Sequence, residues 1–180
     1  DISAIEAGKR EIVKAPLNID TLIRSTIRTA RTLAGTKPLD ISANLPDNMP
    51  SLIIDERALT QIVNNLLSNA VKFTEPNGRI DIIVGLQGDN LEIQVIDTGR
   101  GIPADKLAIV TLPFSQVHTN PHLAEHGTGL GLAIVKSLTD LSGGTLEIES
   151  DVDVGTRITV TLPVTAAAAA DISSAEPPAR

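Results

Sequence analysis

Three polar segments interrupt an otherwise aliphatic chain, and their spacing limits what the chain can fold into. The segment at 61–73, QIVNNLLSNAVKF, has helical periodicity, and 97–103, DTGRGIP, places an aspartate on a glycine-rich turn. The third, HGTGLGL at 126–132, is a glycine loop that leads into an apolar helix. Neither GxxxxGK nor GxGxxG occurs, so the two common phosphate-binding motifs are disfavoured. The chain must therefore build any composite site from a helix, a turn and a loop.

The first segment is an amphipathic helix. At 100° per residue its apolar and polar residues separate onto opposite faces. Asn65 and Asn69, spaced i and i+4, share the polar face, and Lys72 follows one turn later. Amide oxygens can coordinate a hard cation, and a lysine can contact phosphate. A solvated surface is the alternative, although three asparagines within 64–69 are unfavourable for helix stability. The apolar face comprises Leu59, Val63, Leu66, Leu67 and Ala70.

The second segment ends a strand of alternating residues. In LEIQVID, Asp97 lies on the same side as the apolar residues at 91, 93 and 95, so it faces the core. A buried carboxylate needs a hydrogen-bond donor, and the exocyclic amine of adenine could supply one. Gly99 and Gly101 leave room for a flat ring to approach. Alternatively, Asp97 caps its own turn.

The third segment places three glycines immediately before a helix. Backbone N–H groups and the helix dipole at this end favour phosphate, although a glycine loop alone is a weak signal. Together the three segments predict an ATP site. The glycines are Gly127, Gly129 and Gly131.

The remaining pattern predicts an α+β fold. Helices are expected at 19–32, 56–72 and 130–141, with Asn18 or Asp20 capping the first and Asp55 the second. Hairpin-linked strands suggest a two-layer α/β sandwich, with helices on one face of a mixed, mostly antiparallel sheet. Strands are expected at 38–46, 51–56, 79–86, 90–96, 145–150 and 157–162.

Charge and composition exclude several classes of protein. A net charge of −7 argues against nucleic-acid binding, and the lack of cysteine excludes disulfides and thiolate metal sites. The chain has no apolar run of about 20 residues that could span a membrane. Aromatic residues make up 1% of the chain, so the core must be aliphatic.

The ordered segments resemble the catalytic ATP-binding (HATPase_c) domain of sensor histidine kinases, within the GHKL superfamily. NNLLSNAVKFT is similar to the N box, DTGRGIP to the G1 box, PFSQV to the F box and HGTGLGLAIV to the G2 box. GGTLEIESDVDVGTRITVTLP is similar to the family's closing segment. The resemblance implies a Bergerat (GHKL-type) domain at 16–163. Residues 1–15 would end a second dimerisation helix, and 164–180 would be a disordered tail or linker.

The resemblance also implies a role for individual residues. Asn65, Asn69 and Lys72 would serve catalysis, with Asn69 as the Mg²⁺ ligand. Asp97 would accept a hydrogen bond from the adenine amine. Residues 112–126 would form a mobile ATP lid anchored by Phe114. The residues implied in binding Mg-ATP are Asn65, Asn69, Lys72, Phe73, Asp97, Gly99, Gly101, Ile102, Gly127, Thr128, Gly129, Leu130, Gly131 and Thr156.

Two departures from the family pattern leave alternatives open. Asn65 stands where related ATPases carry a water-activating glutamate, which disfavours a hydrolytic GHKL ATPase and favours transfer to a protein histidine. Leu123 stands where many family lids carry an arginine for the γ-phosphate. A regulatory nucleotide-binding module, biased toward phosphatase or scaffolding activity, is therefore an alternative. A serine-directed kinase is a further one.

Three lid histidines are expected to be solvated. Pro121 interrupts the helix that a metal site at their i, i+4, i+8 spacing would need. The phosphoacceptor of the family lies on the first dimerisation helix, outside this sequence. The histidines are His118, His122 and His126.

The resemblance implies partners and a location as well. The expected partners are the protein's own dimerisation and phosphoacceptor domain and a downstream response regulator. The fragment is expected to be a cytoplasmic monomer that contacts neither nucleic acid nor membrane. Its parent is expected to be a homodimer, with or without a membrane anchor.

Overall fold

The computed structural model describes residues 11–115 and 129–168. In this part of the chain the helices are α1 (Ile19–Ala34), α2 (Glu56–Phe73), α3 (Ala104–Leu107) and α4 (Gly131–Leu141). The strands are β1 (Ala15–Leu17), β2 (Asp40–Asn44), β3 (Leu52–Ile54), β4 (Arg79–Gln87), β5 (Asn90–Asp97), β6 (Thr145–Asp151), β7 (Gly155–Pro163) and β8 (Thr165–Ala166).

The main sheet has five strands in the order β2-β4-β5-β7-β6. β2 pairs with β4 in parallel, and the other pairs are antiparallel. The register places Asp97, the last residue of β5, opposite Thr156 near the start of β7. A smaller antiparallel sheet has the order β1-β3-β8. The predicted mixed, mostly antiparallel sheet is confirmed.

The helices start where side chains can satisfy their first N–H groups. Asn18 accepts from the N–H of Thr21 at 3.0 Å, and Asp55 accepts from that of Ala58 at 2.8 Å. Of the two residues proposed to cap α1, Asn18 is therefore the cap. The three predicted helices begin within one residue of their observed starts.

The core lies between the helix layer and one face of the five-stranded sheet. Alternate residues of β4 and β5 are buried, while their neighbours are more accessible. All five residues predicted for the apolar face of α2 are at most 2% exposed. The core is aliphatic, as the composition predicts, and its largest fully buried side chains include Ile23, Leu59, Ile62, Leu66, Ile80 and Ile93.

Both ends of the predicted catalytic domain differ from expectation. Residues 11–14 are not helical, and Ala15–Leu17 pairs with β3. The N–H of Val13 donates to Asp55 Oδ2 at 2.7 Å, which ties this segment to the start of α2. At the other end Val164 is buried and Thr165–Ala166 pairs with β3, so residues 164–166 are part of the sheet structure. Residues 1–10 and 169–180 lie outside the described residues.

Within residues 11–115 and 129–168, no helix is both long and apolar enough to cross a bilayer.

Candidate functional site

The polar face of α2 forms the floor of the candidate site. Asn65 and Asn69 are half-buried beneath the first residue of α4. A Cβ added at Gly131 would lie 3.4 Å from both amide atoms of Asn69 and 3.6 Å from Asn65 Oδ1. Asn65 Nδ2 donates to the carbonyl of Gln61 at 2.9 Å, which directs its oxygen away from that bond. The fold thus brings the polar face of α2 and the glycine loop together.

This floor suits a hard cation held partly by phosphate. Amide oxygens are neutral oxygen ligands of the kind that Mg²⁺ accepts, and Mg²⁺ commonly takes few protein ligands beside substrate phosphates. Among residues 11–115 and 129–168, no cluster of three or more His, Cys, Asp or Glu side chains could hold a metal instead. The residues present therefore fit a Mg²⁺–phosphate group at this position.

The last turn of α2 lies between this floor and the glycine-rich turn at 97–103, the aspartate turn. Lys72 Nζ lies 4.8 Å from the centre of the Phe73 ring, a cation–π distance. The carbonyl of Phe73 accepts from the N–H of Arg100 at 3.2 Å. A Cβ at Gly99 would lie 2.6 Å from that carbonyl oxygen, so a side chain there would force the turn away from the helix.

Asp97 is half-buried at the end of β5, and its carboxylate accepts a backbone hydrogen bond. The N–H of Gly99 donates to Asp97 Oδ1 at 2.8 Å, and Thr156 lies opposite Asp97 in the pairing of β5 with β7. The alternative that Asp97 caps its own turn is therefore part of the structure. Burial nevertheless raises the pKa of Asp97, and the nearby backbone N–H groups of Gly99 and Thr156 only partly oppose this effect. A further donor to the carboxylate would be stabilising.

The rest of the aspartate turn packs on the β6–β7 hairpin. Gly101 has a φ of +70°, and a Cβ there would collide with the carbonyl of Asp151. The N–H of Ile102 donates to Ser150 Oγ at 2.7 Å. The structure thus places Gly101, Ile102 and Thr156 around one junction between β5 and the hairpin.

The glycine loop is described only in its last part. The N–H of Phe114 donates to the carbonyl of Gly129 at 3.1 Å, while Leu130 precedes α4 and its carbonyl accepts from Ile134 at 2.9 Å. Gly127 and Thr128, the three lid histidines and Leu123 lie outside the described residues. Phe114 has a φ of +63° and is 76% exposed, and its backbone N–H is the group that bonds Gly129. Residues 116–126 of the lid that it is expected to anchor lie outside the described residues.

Two contacts of the site were not predicted from the sequence. Ser150 is one of several polar residues in the segment ESD, and its position in the sequence does not indicate that it contacts Ile102. Arg100 Nε lies 2.6 Å from Glu75 Oε1, a pair that joins the aspartate turn to the segment after α2. This arginine lowers the pKa of Glu75, chiefly through the hydrogen bond. Both contacts join residues that are distant in the sequence, so local sequence patterns do not predict them.

The fold and the site together define a GHKL-type ATP-binding domain. The family described as "Histidine kinase-, DNA gyrase B-, and HSP90-like ATPase" (HATPase_c) matches residues 54–166. The chain belongs to this family.

The chain is similar to several histidine kinases. It is 41% identical over 165 residues to the circadian input-output histidine kinase CikA of Synechococcus elongatus, covering 91% of this chain and 22% of CikA. An uncharacterized sensor-like histidine kinase of Rhizobium meliloti is 36% identical over 178 residues, covering 99% of this chain and 34% of the relative. The chain thus spans about a fifth to a third of these relatives.

A solved structure shares the same fold. Full-length ShkA in complex with AMPPNP matches with a TM-score of 0.81 and 30% identity, covering 93% of this chain and 34% of ShkA. This similarity agrees with the predicted fold.

Proposed function

We propose that this chain binds Mg-ATP and supplies its γ-phosphoryl group to a histidine on a separate dimerisation domain of the same sensor kinase. The observation that carries the proposal is the approach of Gly131 to the amides of Asn65 and Asn69. This contact places the N-terminus of α4, which is suited to phosphate, beside amide side chains of α2 that are suited to a cation. The membership of the HATPase_c family supports the same reading.

Each part of the site would contribute binding or positioning rather than covalent chemistry. Asn69, with Asn65 beside it, would hold Mg²⁺, which when bound neutralises charge on the triphosphate. Lys72 would contact phosphate from the last turn of α2. Asp97 would accept from the adenine amine and so select the base. These residues would hold the γ-phosphoryl group in line with an incoming histidine.

The glycine residues would shape the space around the nucleotide. Gly99 and Gly101 keep the aspartate turn close to α2 and to the β6–β7 hairpin. Gly129, Leu130 and Gly131 would present backbone N–H groups to the phosphates, together with Gly127 and Thr128 of the same loop. Phe73, Ile102 and Thr156 would line the base pocket.

The decisive experiment compares two asparagine-to-alanine variants of α2. Asn69→Ala is expected to weaken Mg-ATP binding roughly tenfold or more, through loss of a charge-assisted contact, and to abolish most of the Mg²⁺ dependence. Asn64→Ala is the matched control, because Asn64 lies on the same helix and is also half-buried. Calorimetry with and without Mg²⁺ gives binding, and phosphorylation of a longer chain that includes the acceptor helix gives transfer. Equal behaviour of the two variants would refute the Mg²⁺ assignment.

One rival function rests on a specific residue. Leu123 replaces the lid arginine expected near the γ-phosphate, which favours a regulatory module that binds nucleotide but transfers phosphate slowly. ATP binding without detectable transfer in a chain containing the acceptor helix would support this rival. Steady phosphate release by the 180-residue chain alone would instead support a GHKL ATPase.

The proposed partners follow from the proposed reaction. A dimerisation domain would bring the acceptor histidine to the site, and a response regulator would receive the phosphoryl group afterwards. The domain would act in the cytoplasm as part of a homodimeric parent and would itself be monomeric. Size-exclusion chromatography of the 180-residue chain tests the last statement directly.

A further inference from the structure

A hydroxyl group on β6 lies between the two backbone segments that hold Asp97. Ser150 Oγ accepts from the N–H of Ile102 at 2.7 Å. The same oxygen lies 2.9 Å from the carbonyl of Gly155 and 2.8 Å from Thr156 Oγ1. One side chain thus bonds the end of the aspartate turn and the start of β7.

Asp97 is in contact with these same two segments. The N–H of Gly99, within the turn that ends at Ile102, donates to the Asp97 carboxylate. Asp97 also pairs with Thr156 on β7, the strand that Ser150 contacts. If the turn moved away from β7, the Gly99 N–H would lose its distance or angle to the carboxylate. The direction of Asp97 therefore depends on how closely the turn is held to β7.

We propose that Ser150 is a positioning residue for base recognition, because its hydroxyl fixes the aspartate turn against β7 and so orients the Asp97 carboxylate. The inference rests on the proposed role of Asp97 in binding adenine. Ser150 itself does not touch the nucleotide in this account. Its effect is to keep the acceptor oxygens in one place before the base arrives.

Backbone contacts along the same junction show why the serine can be tested in isolation. The N–H of Asp153 donates to the carbonyl of Arg100 at 2.9 Å, and Gly101 lies against the backbone of Asp151. These contacts do not involve the Ser150 side chain. Removal of the hydroxyl should therefore leave the hairpin paired while loosening the turn around Ile102.

The test uses the 180-residue chain with three substitutions. Ser150→Ala removes the hydroxyl, and Ser150→Thr retains it. Ser42→Ala is the matched control, because the Ser42 hydroxyl donates to Asp81 at 2.6 Å on β2, the opposite edge of the sheet. For each protein the dissociation constants of Mg-ATP and Mg-GTP are measured by calorimetry. The amide resonance of Ile102 reports the hydrogen bond directly.

The expected result is a selective loss of adenine recognition. Ser150→Ala should weaken Mg-ATP binding about three- to tenfold, the effect of one lost hydrogen bond. It should change Mg-GTP binding little, because guanine has no amine at the position that Asp97 would recognise. Ser150→Thr should restore both the affinity and the Ile102 amide shift, and Ser42→Ala should match the wild type.

The outcomes separate this inference from the function on which it rests. Wild-type binding of Mg-ATP with no change in Ser150→Ala would overturn the positioning role and leave the ATP site intact. An equal loss of ATP and GTP binding, without rescue by threonine, would also overturn it and indicate a general structural defect. A wild-type chain that binds neither nucleotide would overturn both proposals.

Discussion

Gly131→Ala should separate fold stability from nucleotide binding. Gly131 is the first residue of α4, and its φ is not in the left-handed region. An alanine Cβ there would lie 3.4 Å from the nearest Asn69 atoms, which is an ordinary van der Waals distance. The substitution can therefore be accommodated without moving the backbone. It fills only the space between the glycine loop and the amides of α2.

The two expected effects have opposite signs. Replacing a helical glycine by alanine stabilises a helix by about 0.5–1 kcal/mol in its interior, and less at its first residue. Stability should thus be unchanged or higher by up to about 0.5 kcal/mol. A ligand group displaced from the Asn69 amide would lose a charge-assisted contact of about 1.5–3 kcal/mol. Mg-ATP affinity should accordingly fall roughly ten- to hundredfold.

Gly85→Ala provides the matched control. Gly85 lies within β4, and a Cβ there would meet no heavy atom within 4 Å. Urea denaturation gives the free energy of unfolding of both variants, and calorimetry gives their affinity for Mg-ATP. The reasoning predicts normal binding for Gly85→Ala and weakened binding for Gly131→Ala. Wild-type affinity in Gly131→Ala would show that no part of the nucleotide or its metal ion enters the space above Asn69.

Two further predictions concern carboxylates, that of Asp97 at the site and that of Asp55 at the start of α2. Burial raises the pKa of Asp97, so its ionisation opposes folding above that pKa and the penalty is relieved as the pH falls through it. Asp97→Asn should therefore melt at the same or a higher temperature at neutral pH, yet bind ATP at least about tenfold more weakly. As the pH falls, ATP binding should weaken more in the wild type than in this variant, which calorimetry between about pH 5 and 8 would measure. If Asp97→Asn bound ATP as tightly as the wild type, the adenine would have to bind elsewhere. Asp55→Ala should lower the free energy of unfolding by about 1–2 kcal/mol, and by more than Asn18→Ala, because Asp55 bonds both Ala58 and Val13. Equal losses in urea denaturation would show that the Val13 contact contributes nothing.

Long periodic segments were predictable from the sequence because one physical requirement decides them. The α2 pattern separates an apolar face from a polar one, and burying the apolar face orients the whole helix. The alternation along LEIQVID likewise fixes which side of β5 faces the core. Together these two patterns predicted the burial of Val63 and Ile93, and they placed Asp97 on the core side of β5, where it is half-buried.

Short elements and cross-chain contacts were not predictable in the same way. β1 has three residues and β8 has two, which is too few for an alternating pattern to be recognised. Both become strands because β3 offers them hydrogen-bond partners. Ser150 is recognisable as a site residue only once β6 and β7 have paired and brought the hairpin to Ile102.

The position of Asp97 is an argument for a bound ligand, because the fold alone does not need a carboxylate there. Leu91, Ile93 and Val95 continue the same side of β5 into the core, and a further apolar residue at 97 would extend it without a desolvation cost. The chain instead carries a carboxylate whose pKa is raised by burial. The N–H of Gly99 uses one of the roughly four acceptor positions of a carboxylate. The remaining positions suit a donor from outside the chain, and such a donor would recover part of the energy that the buried charge costs.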